Sequence, residues 1–219
     1  MFRDRTHAGQ VLAGMLAGLA GKDRVVMAIP NGGVPVGIEL ARELGAPLGV
    51  EIVRKLQIPG NTEAGFGAVT SGGDVILNRM LVRALGLRPE QVREITAATM
   101  GGIAQRKALF GTTSQPVGGK TVILTDDGLA SGFTMVAAAR SVLRRGPKQV
   151  MVAVPTASAG AAERVARVVQ RLVCPDIRRG PVFAVADAYE DWYDLDTEEA
   201  AGIYRQFVRG RRGPSGRTA

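Results

Sequence analysis

Residues Thr121–Thr134 read TVILTDDGLASGFT. Val122, Ile123 and Leu124 are apolar and mostly β-branched, which predicts a strand buried on both faces. Two adjacent carboxylates follow, Asp126 and Asp127, and then a run of small and hydroxyl residues, Gly128-Leu129-Ala130-Ser131-Gly132-Phe133-Thr134. A helical pattern opens at Met135 and continues through Val136, Ala139, Val142 and Leu143. Strand, acidic pair, glycine/hydroxyl loop and helix start together predict an anion cradle. Amides at a helix N-terminus favour a phosphate, and Gly132 lets the backbone approach it closely. Asp126 and Asp127 would repel that phosphate if aimed at it, so they are read as acceptors for sugar hydroxyls beside it. A phosphate and a diol held side by side point to a ribose 5-phosphate. The bland alternative, an acidic pair that only favours the helix dipole, leaves the hydroxyl/glycine run unexplained.

Working outward, the 219-residue chain fits one large α/β domain, or a core with a small appended lobe. Its 46% hydrophobic content is enough to bury a full core. One cysteine, Cys174, excludes an intrachain disulfide and supplies no metal cluster, so a reducing cytoplasm is expected. Residues 11–20, VLAGMLAGLA, are apolar but too short to span a bilayer, and their flanks do not make a cleaved signal peptide. The expectation is a soluble, cytoplasmic chain with no membrane partner. The net charge of +8 raises nucleic acid as a partner. Part of that excess lies in Arg205, Arg209, Arg211, Arg212 and Arg217, and residues 209–219 are expected to form a solvated, disordered basic tail. A basic body also suits a substrate carrying several phosphates.

A second strand–loop–helix unit stands earlier in the chain. Residues 5–20 read as a helix with Val11, Leu12, Met15, Leu16 and Leu19 on one stripe. Val25–Ile29 reads as a strand, followed by Pro30-Asn31-Gly32-Gly33-Val34-Pro35 and a helix over Val36–Leu44. Two such units in one α/β sheet put both loops at the carboxyl ends of the strands. Gly32-Gly33 exposes amides to an anion, although a tight strand-to-helix turn would explain the glycines without a ligand. Leu48–Val53 reads as a strand ending in Arg54-Lys55, and Ile58–Ala68, with Pro59 and Gly60, as a loop. Phe66–Thr70 and Val75–Leu77 read as a hairpin, Asn78–Leu85 as a short helix, and Pro89–Phe110 as a long one weakened at Gly101-Gly102. Arg106 and Lys107 are assigned to its solvated face, with a reach into the site as the alternative reading. Gln149–Val154 is a further buried strand, Ser158 caps a helix over Ala159–Arg171 or, as the weaker reading, belongs to the site, and Leu172–Cys174 and Val182–Ala186 are short strands. Trp192 and Tyr193 are read as packing the segment around them against the core, with base stacking as the secondary reading, and a last helix covers Thr197–Val208.

Three other motifs fail on context. Gly119-Lys120-Thr121 looks like the end of a Walker A loop, but the first glycine should stand at Ser114 and the run precedes a strand. Gly65-x-Gly67 has no third glycine opening a helix, so it is not a dinucleotide fingerprint. Ser131 lacks the Gly-x-Ser-x-Gly setting of a nucleophile, and the sole histidine is His7.

ILTDDGLASGFT resembles the phosphoribosyl-diphosphate (PRPP) signature of type I phosphoribosyltransferases. Arg54-Lys55, Pro59-Gly60-Asn61, Glu63 and Gly67-Ala68, with the cluster Tyr189-Glu190-Asp191-Trp192-Tyr193-Asp194-Leu195, further resemble a bacterial and archaeal subgroup of predicted phosphoribosyltransferases. The resemblance spans residues 1–208. It implies an α/β fold with a mainly parallel central sheet flanked by helices and a small hood or lid lobe. It also implies transfer of ribose 5-phosphate from PRPP to an unidentified acceptor, such as a nitrogenous base, with release of diphosphate. Carried onto this chain, it gives the 5-phosphate to Gly128, Ala130, Ser131, Gly132, Phe133 and Thr134, and the ribose hydroxyls to Asp126 and Asp127, one of which takes a proton. Asn31, Gly32, Gly33, Arg54 and Lys55 would meet the diphosphate, Lys55 counting with the aspartates as catalytic, and Glu63 would belong to a lid. Mg²⁺ would arrive chelated by PRPP, held by its oxygens and waters more than by protein ligands, and the enzyme would be a homodimer. The family's diphosphate loop usually opens with Arg before its two glycines; Asn31 stands there instead, so the expected cation is missing. The same fold serves PRPP-sensing regulators that bind nucleic acid or a protein partner without turnover. Asn31 and the +8 charge lean that way, whereas Arg54-Lys55 and the lid-like segment lean towards an enzyme.

Overall fold

Parallel strands carry the core of the computed structural model, which describes residues 1–19, 23–111, 114–180 and 182–211, the side chains of Thr62 and Glu63 excepted. In chain order the first half comprises α1 (Arg5–Met15), β1 (Arg24–Ala28), α2 (Gly33–Glu43), β2 (Leu48–Val50), β3 (Val53–Ile58), β4 (Asn61–Thr70), β5 (Val75–Leu77), α3 (Arg79–Ala84) and α4 (Pro89–Phe110). The second half comprises β6 (Thr121–Thr125), α5 (Phe133–Leu143), β7 (Gln149–Ala153), β8 (Thr156–Ser158), α6 (Ala159–Ala166), β9 (Arg171–Val173), β10 (Asp176–Arg178) and α7 (Thr197–Arg211).

The central sheet has the order β2-β1-β6-β7-β9, with every pairing parallel. Such a sheet needs cover on both faces, and alternate residues supply both halves of the core. Val26, Ala28, Ile123 and Met151 join residues of α1, α2 and α7 in one cluster. Val25, Met27, Val122, Leu124 and Val152 join residues of α5 and α6 in the other. The α/β architecture expected from the sequence is the one observed.

A separate antiparallel sheet, β3-β4-β5, forms the hood. Here the strand reading needs correction. The parallel strand ends at Val50, and Arg54 and Lys55 lie inside β3, opposite Val69 and Ala68. The run LGVEIVRKLQI is apolar enough to read as one strand, yet the chain leaves the sheet at Glu51-Ile52. Ile58–Ala68 is likewise no loop: Pro59-Gly60 turns the chain and β4 runs back along β3. Its glycines serve close approach between strands. A Cβ at Gly65 would come within 2.5 Å of the Lys55 Cγ, and one at Gly67 would overlap the Ile76 carbonyl.

Nearer the C-terminus, α6 stops at Ala166 because Gln170 turns onto the sheet edge, its side chain accepting from the Val150 amide at 2.7 Å. No strand forms over Val182–Ala186; β10 pairs with β8 instead. At the N-terminal end α1 gives way after Met15 to a short turn over Ala17–Leu19, and Ala20, where the helix was expected to end, lies outside the described residues. The last helix runs on to Arg211, whose guanidinium donates to the Ala41 carbonyl at 2.9 Å, so the start of the expected tail is helical; 212–219 lie outside the described residues. Among the described residues no helix is long and apolar enough to cross a membrane.

Glu51, 5% exposed, fixes the point where the chain passes from sheet to hood. It accepts from Ser141 Oγ at 2.8 Å and from Arg145 at 2.7 Å, tying the crossover to the α5 end of the molecule. Burial pushes its carboxyl up, and Arg145 opposes the shift. Removing one partner of a buried pair leaves the other charge uncompensated. Arg145→Ala should therefore cost about 2 kcal/mol in denaturant unfolding, and Glu51→Gln less, because a neutral amide needs no counter-charge.

Candidate active site

The strand order reverses at β1. Its successor β2 lies on one side and β6 on the other, so the loops after β1 and β6 leave the sheet next to each other, at a topological switch point. Ala28 stands opposite Thr125 at the ends of these strands, and the Ile29 amide donates to the Thr125 carbonyl at 2.9 Å. The two loops then touch. A Cβ on Gly33 would come within 2.8 Å of the Thr125 carbonyl and 2.9 Å of the Asp126 Cα. A Cβ on Gly32 would overlap the Asp127 carboxylate. Both glycines are thus required by close approach of the loops. Gly32 also borders open space, whereas Gly33 packs into the fold.

Asp127 is held from three sides. Arg5, itself 7% exposed, donates from Nε to Asp127 Oδ2 at 2.9 Å. The same guanidinium donates to the Tyr193 carbonyl at 2.9 Å and lies 4.0 Å over the Trp192 ring. Tyr189 donates its hydroxyl to the Asp127 carbonyl at 2.6 Å, and the Asp127 amide donates to Asp126 Oδ1 at 2.9 Å. The aromatic cluster is therefore a packing element, as the sequence led us to expect, and what it packs around is the acidic pair. Arg5 had no local signal: its partner lies 122 residues away. Burial, reinforced by the charge of Asp127, pushes the Asp126 carboxyl well above the usual range. Burial also raises Asp127, with Arg5 opposing.

On the far side of Asp126, Gly128 to Thr134 line a cavity of about 390 Å³ together with Lys55 from the hood. Gly132 has φ +75° and precedes α5, and a Cβ there would crowd Ala161. The amides of Ala130, Ser131 and Gly132 donate to no described protein group, which leaves them available to an anion. A second cavity of about 350 Å³ is lined by Asn31, Gly32, Arg54, Lys55, Arg106 and Asp127 among others. Lys55, Asp126 and Thr134 border both, so the two form one cleft. The residues read as phosphate, ribose and diphosphate contacts thus converge, save Gly33; the side chain of Glu63 lies outside the description.

Arg106 corrects the reading of α4. It does not lie on a solvated face: it lines the cleft, and Nη1 donates to Asn31 Oδ1 at 3.2 Å. Burial, then the neighbouring charge of Arg54, lowers its proton affinity. Asn31 also donates from Nδ2 to the Leu195 carbonyl at 2.9 Å, so its amide joins the loop to the C-terminal segment. A guanidinium carried by a helix thus reaches the loop that holds Asn31. Periodicity missed it because α4 is only weakly amphipathic, with only Ile103 and Phe110 buried.

The model of the phosphoribosyl transferase domain family matches residues 6–188. The chain belongs to that family. Two Mycobacterium tuberculosis proteins, from strains CDC 1551 / Oshkosh and H37Rv, are each 34% identical to it over 208 residues, covering 93% of this chain and 46% of the relative. Their names give phosphoribosyl transferase as a provisional function, and the chain spans about half their length. A crystal structure of TT1426 from Thermus thermophilus is 35% identical, with a TM-score of 0.77 over 94% of this chain and 99% of that one. The AQ2163 protein from Aquifex aeolicus, at 13% identity and a TM-score of 0.52, shares the fold, covering 80% of this chain and 75% of its own. In this chain the acidic pair stands at the switch point of that fold.

The raised Asp126 carboxyl has a consequence for stability. The folded chain binds this proton more tightly than the unfolded chain, so stability falls as pH rises above the ordinary aspartate value of 3.8 towards the folded value. Asp126→Asn should therefore melt higher than the parent at neutral pH, with the difference shrinking as pH falls to the ordinary aspartate range. A variant no more stable than the parent at any pH would contradict this placement of the carboxyl.

Proposed function

We propose that this chain is a phosphoribosyltransferase that moves ribose 5-phosphate from PRPP to a nitrogenous-base acceptor and releases diphosphate. The observation that carries the reading is the single cleft in which free loop amides, two carboxylates and three cations line up at the switch point. The 5-phosphate sits on the Ala130–Thr134 loop, where backbone amides and the dipole of α5 favour it. Asp126 and Asp127 accept hydrogen bonds from the ribose hydroxyls, Arg5 fixing the rotamer of Asp127. Diphosphate meets Asn31, Gly32, Arg54, Lys55 and Arg106, so that Arg106 takes the part of the cation that Asn31 cannot play. Arginine suits it, because its planar fork binds two phosphate oxygens at once.

The bond from C1 to the diphosphate oxygen breaks with its electron pair leaving on diphosphate, and a bond from the acceptor nitrogen to C1 forms on the opposite face. The acceptor's proton goes to Asp126, whose proton affinity burial and the Asp127 charge raise above that of a free carboxylate. The remaining catalysis is positioning and charge neutralisation. Oxygen donors are what Mg²⁺ prefers, and Asp126 and Asp127 supply them beside the diphosphate subsite; among the described residues no group of three acidic, His or Cys side chains forms a cage for a metal. When carried in by PRPP, the ion would neutralise diphosphate charge.

Calorimetric titration of PRPP with Mg²⁺, followed by a panel of free bases with diphosphate release as readout, tests the proposal. The expected result is saturable PRPP binding and one base that releases diphosphate; PRPP binding without turnover would favour a sensor. Asp126→Asn with Asp127→Asn should abolish PRPP binding in a chain that still melts cooperatively. Arg106→Ala should weaken PRPP by about tenfold or more, the loss of charge-assisted hydrogen bonds, and Arg106→Lys should recover part of it. Unchanged affinity in Arg106→Ala would remove Arg106 from the diphosphate subsite.

A further inference from the structure

A cavity of about 600 Å³ lies behind the phosphate loop, between β5, the start of α3, α5 and α6. Four arginines rim it: Arg79, Arg140, Arg164 and Arg167. No carboxylate lines it, and Arg167 alone of the four has an acidic partner among the described residues, the exposed Glu163 at 2.8 Å. Guanidiniums held around one concavity repel each other unless an anion joins them, and the field they create concentrates anions there. The floor is apolar, made by Ile76, Leu77, Val136 and the Phe133 ring. A cationic rim over an apolar floor matches a ligand with a flat ring at one end and several phosphate charges at the other.

The cavity also touches the phosphate loop. Phe133 lines both this cavity and the cleft. Arg164 lies 4.5 Å over the Phe133 ring, and its Nη1 donates to the Ser131 carbonyl inside the loop. A phosphate drawing Arg164 into the rim would compete with that carbonyl and release one restraint on the loop.

We propose that this arginine-rimmed cavity is a second ligand site, taking a nucleoside di- or triphosphate, whose occupancy alters the phosphate loop through Arg164 and Phe133. The binding half stands independently of the phosphoribosyltransferase reading; the coupling half rests on it. Linkage makes the coupling reciprocal: whatever the nucleotide does to PRPP affinity, PRPP does to nucleotide affinity.

ADP, adenosine and inorganic tripolyphosphate, each titrated calorimetrically into the full chain, separate the parts of the claim. ADP should bind, with adenosine and tripolyphosphate each about tenfold weaker or worse, because each offers one of the two contacts. Arg79→Ser with Arg140→Ser, both exposed positions outside the cleft, should weaken ADP by about tenfold or more and leave PRPP affinity unchanged. The Asp126→Asn, Asp127→Asn chain should keep its ADP affinity. Absence of ADP binding, tripolyphosphate binding as tightly as ADP, or ADP affinity lost with the two aspartates and retained without the two arginines would each overturn the site. Should PRPP fail to bind at all, the cleft reading falls while the ADP result still decides this one. With PRPP bound, an affinity for it that saturating ADP leaves unchanged would overturn the coupling.

Discussion

The ion pair between Arg5 and Asp127 is the contact around which the two ends of the described chain meet. Two adjacent carboxylates set into the end of a parallel sheet would cost several kcal/mol if both were ionised without a counter-charge. Arg5 supplies that charge from the first turn of α1, and Trp192 and Tyr193 hold the guanidinium where it can act. Phe2 pairs with Tyr189, and Tyr189 reaches the Asp127 carbonyl, so the N-terminal segment and the C-terminal aromatic cluster close on the same loop. Neighbouring hydrogen bonds of this kind strengthen one another in a low dielectric. The arrangement compensates one aspartate well and the other poorly. Asp126 keeps its raised proton affinity, which costs stability and gives the cleft a group able to take a proton.

What could be read in the sequence was whatever depended on local periodicity. β6, α4 with Pro89 in its first turn, and a short helix inside Asn78–Leu85 stand where the pattern put them, because each is settled by neighbours in the chain, while α5 opens two residues earlier than read, at Phe133. The hood was misread because its glycines serve two purposes that look alike in sequence. At Gly60 a positive φ makes a turn, whereas at Gly65 and Gly67 missing side chains let strands approach, and a Pro/Gly-rich run reads as a loop either way. Asp126, Asp127, Gly32, Arg54 and Lys55, picked out together in the sequence, do line one cleft, since the acidic pair and the glycine loop meet at the switch point. Arg5 could not be picked out, and Arg106 reads first as part of the solvated face of its helix. Each reaches the cleft over a long sequence separation, and a single arginine on a helix carries no mark of which way it faces.

The net charge of +8 is easier to interpret once its bearers are placed. Arg54, Lys55 and Arg106 converge on the ends of the sheet, the arrangement that an enzyme for a polyphosphate substrate calls for. Another four arginines surround a separate concavity. Several others are already committed: Arg5, Arg42, Arg93, Arg144, Arg145 and Arg178 have acidic partners. Net charge alone raised nucleic acid as a partner, but its distribution into concave sites favours small phosphorylated ligands.

Carrying the cation on α4 and not in the loop changes what the proposed diphosphate subsite depends on. An arginine in the loop after β1 would be carried by the central sheet. Arg106 is carried by a helix that packs on β3, β4 and α7. Its guanidinium reaches the cleft only while the hood and the C-terminal helix hold α4 in place, and its bond to Asn31 is the direct link back to the loop. Asn31 in turn is held by the Leu195 carbonyl, so a side chain that looked like a lost function has become a bracket between loop, helix and C-terminal segment. In the proposed reaction, the grip on diphosphate would then be set by the same packing that sets the hood, and Arg54 and Lys55 in β3 would move with it. An Arg at position 31 could not reproduce this by restoring the charge. It would break the amide's bonds to Leu195 and Arg106 and place a second guanidinium against the first, so the asparagine is better understood as part of a different solution than as a defect in the usual one.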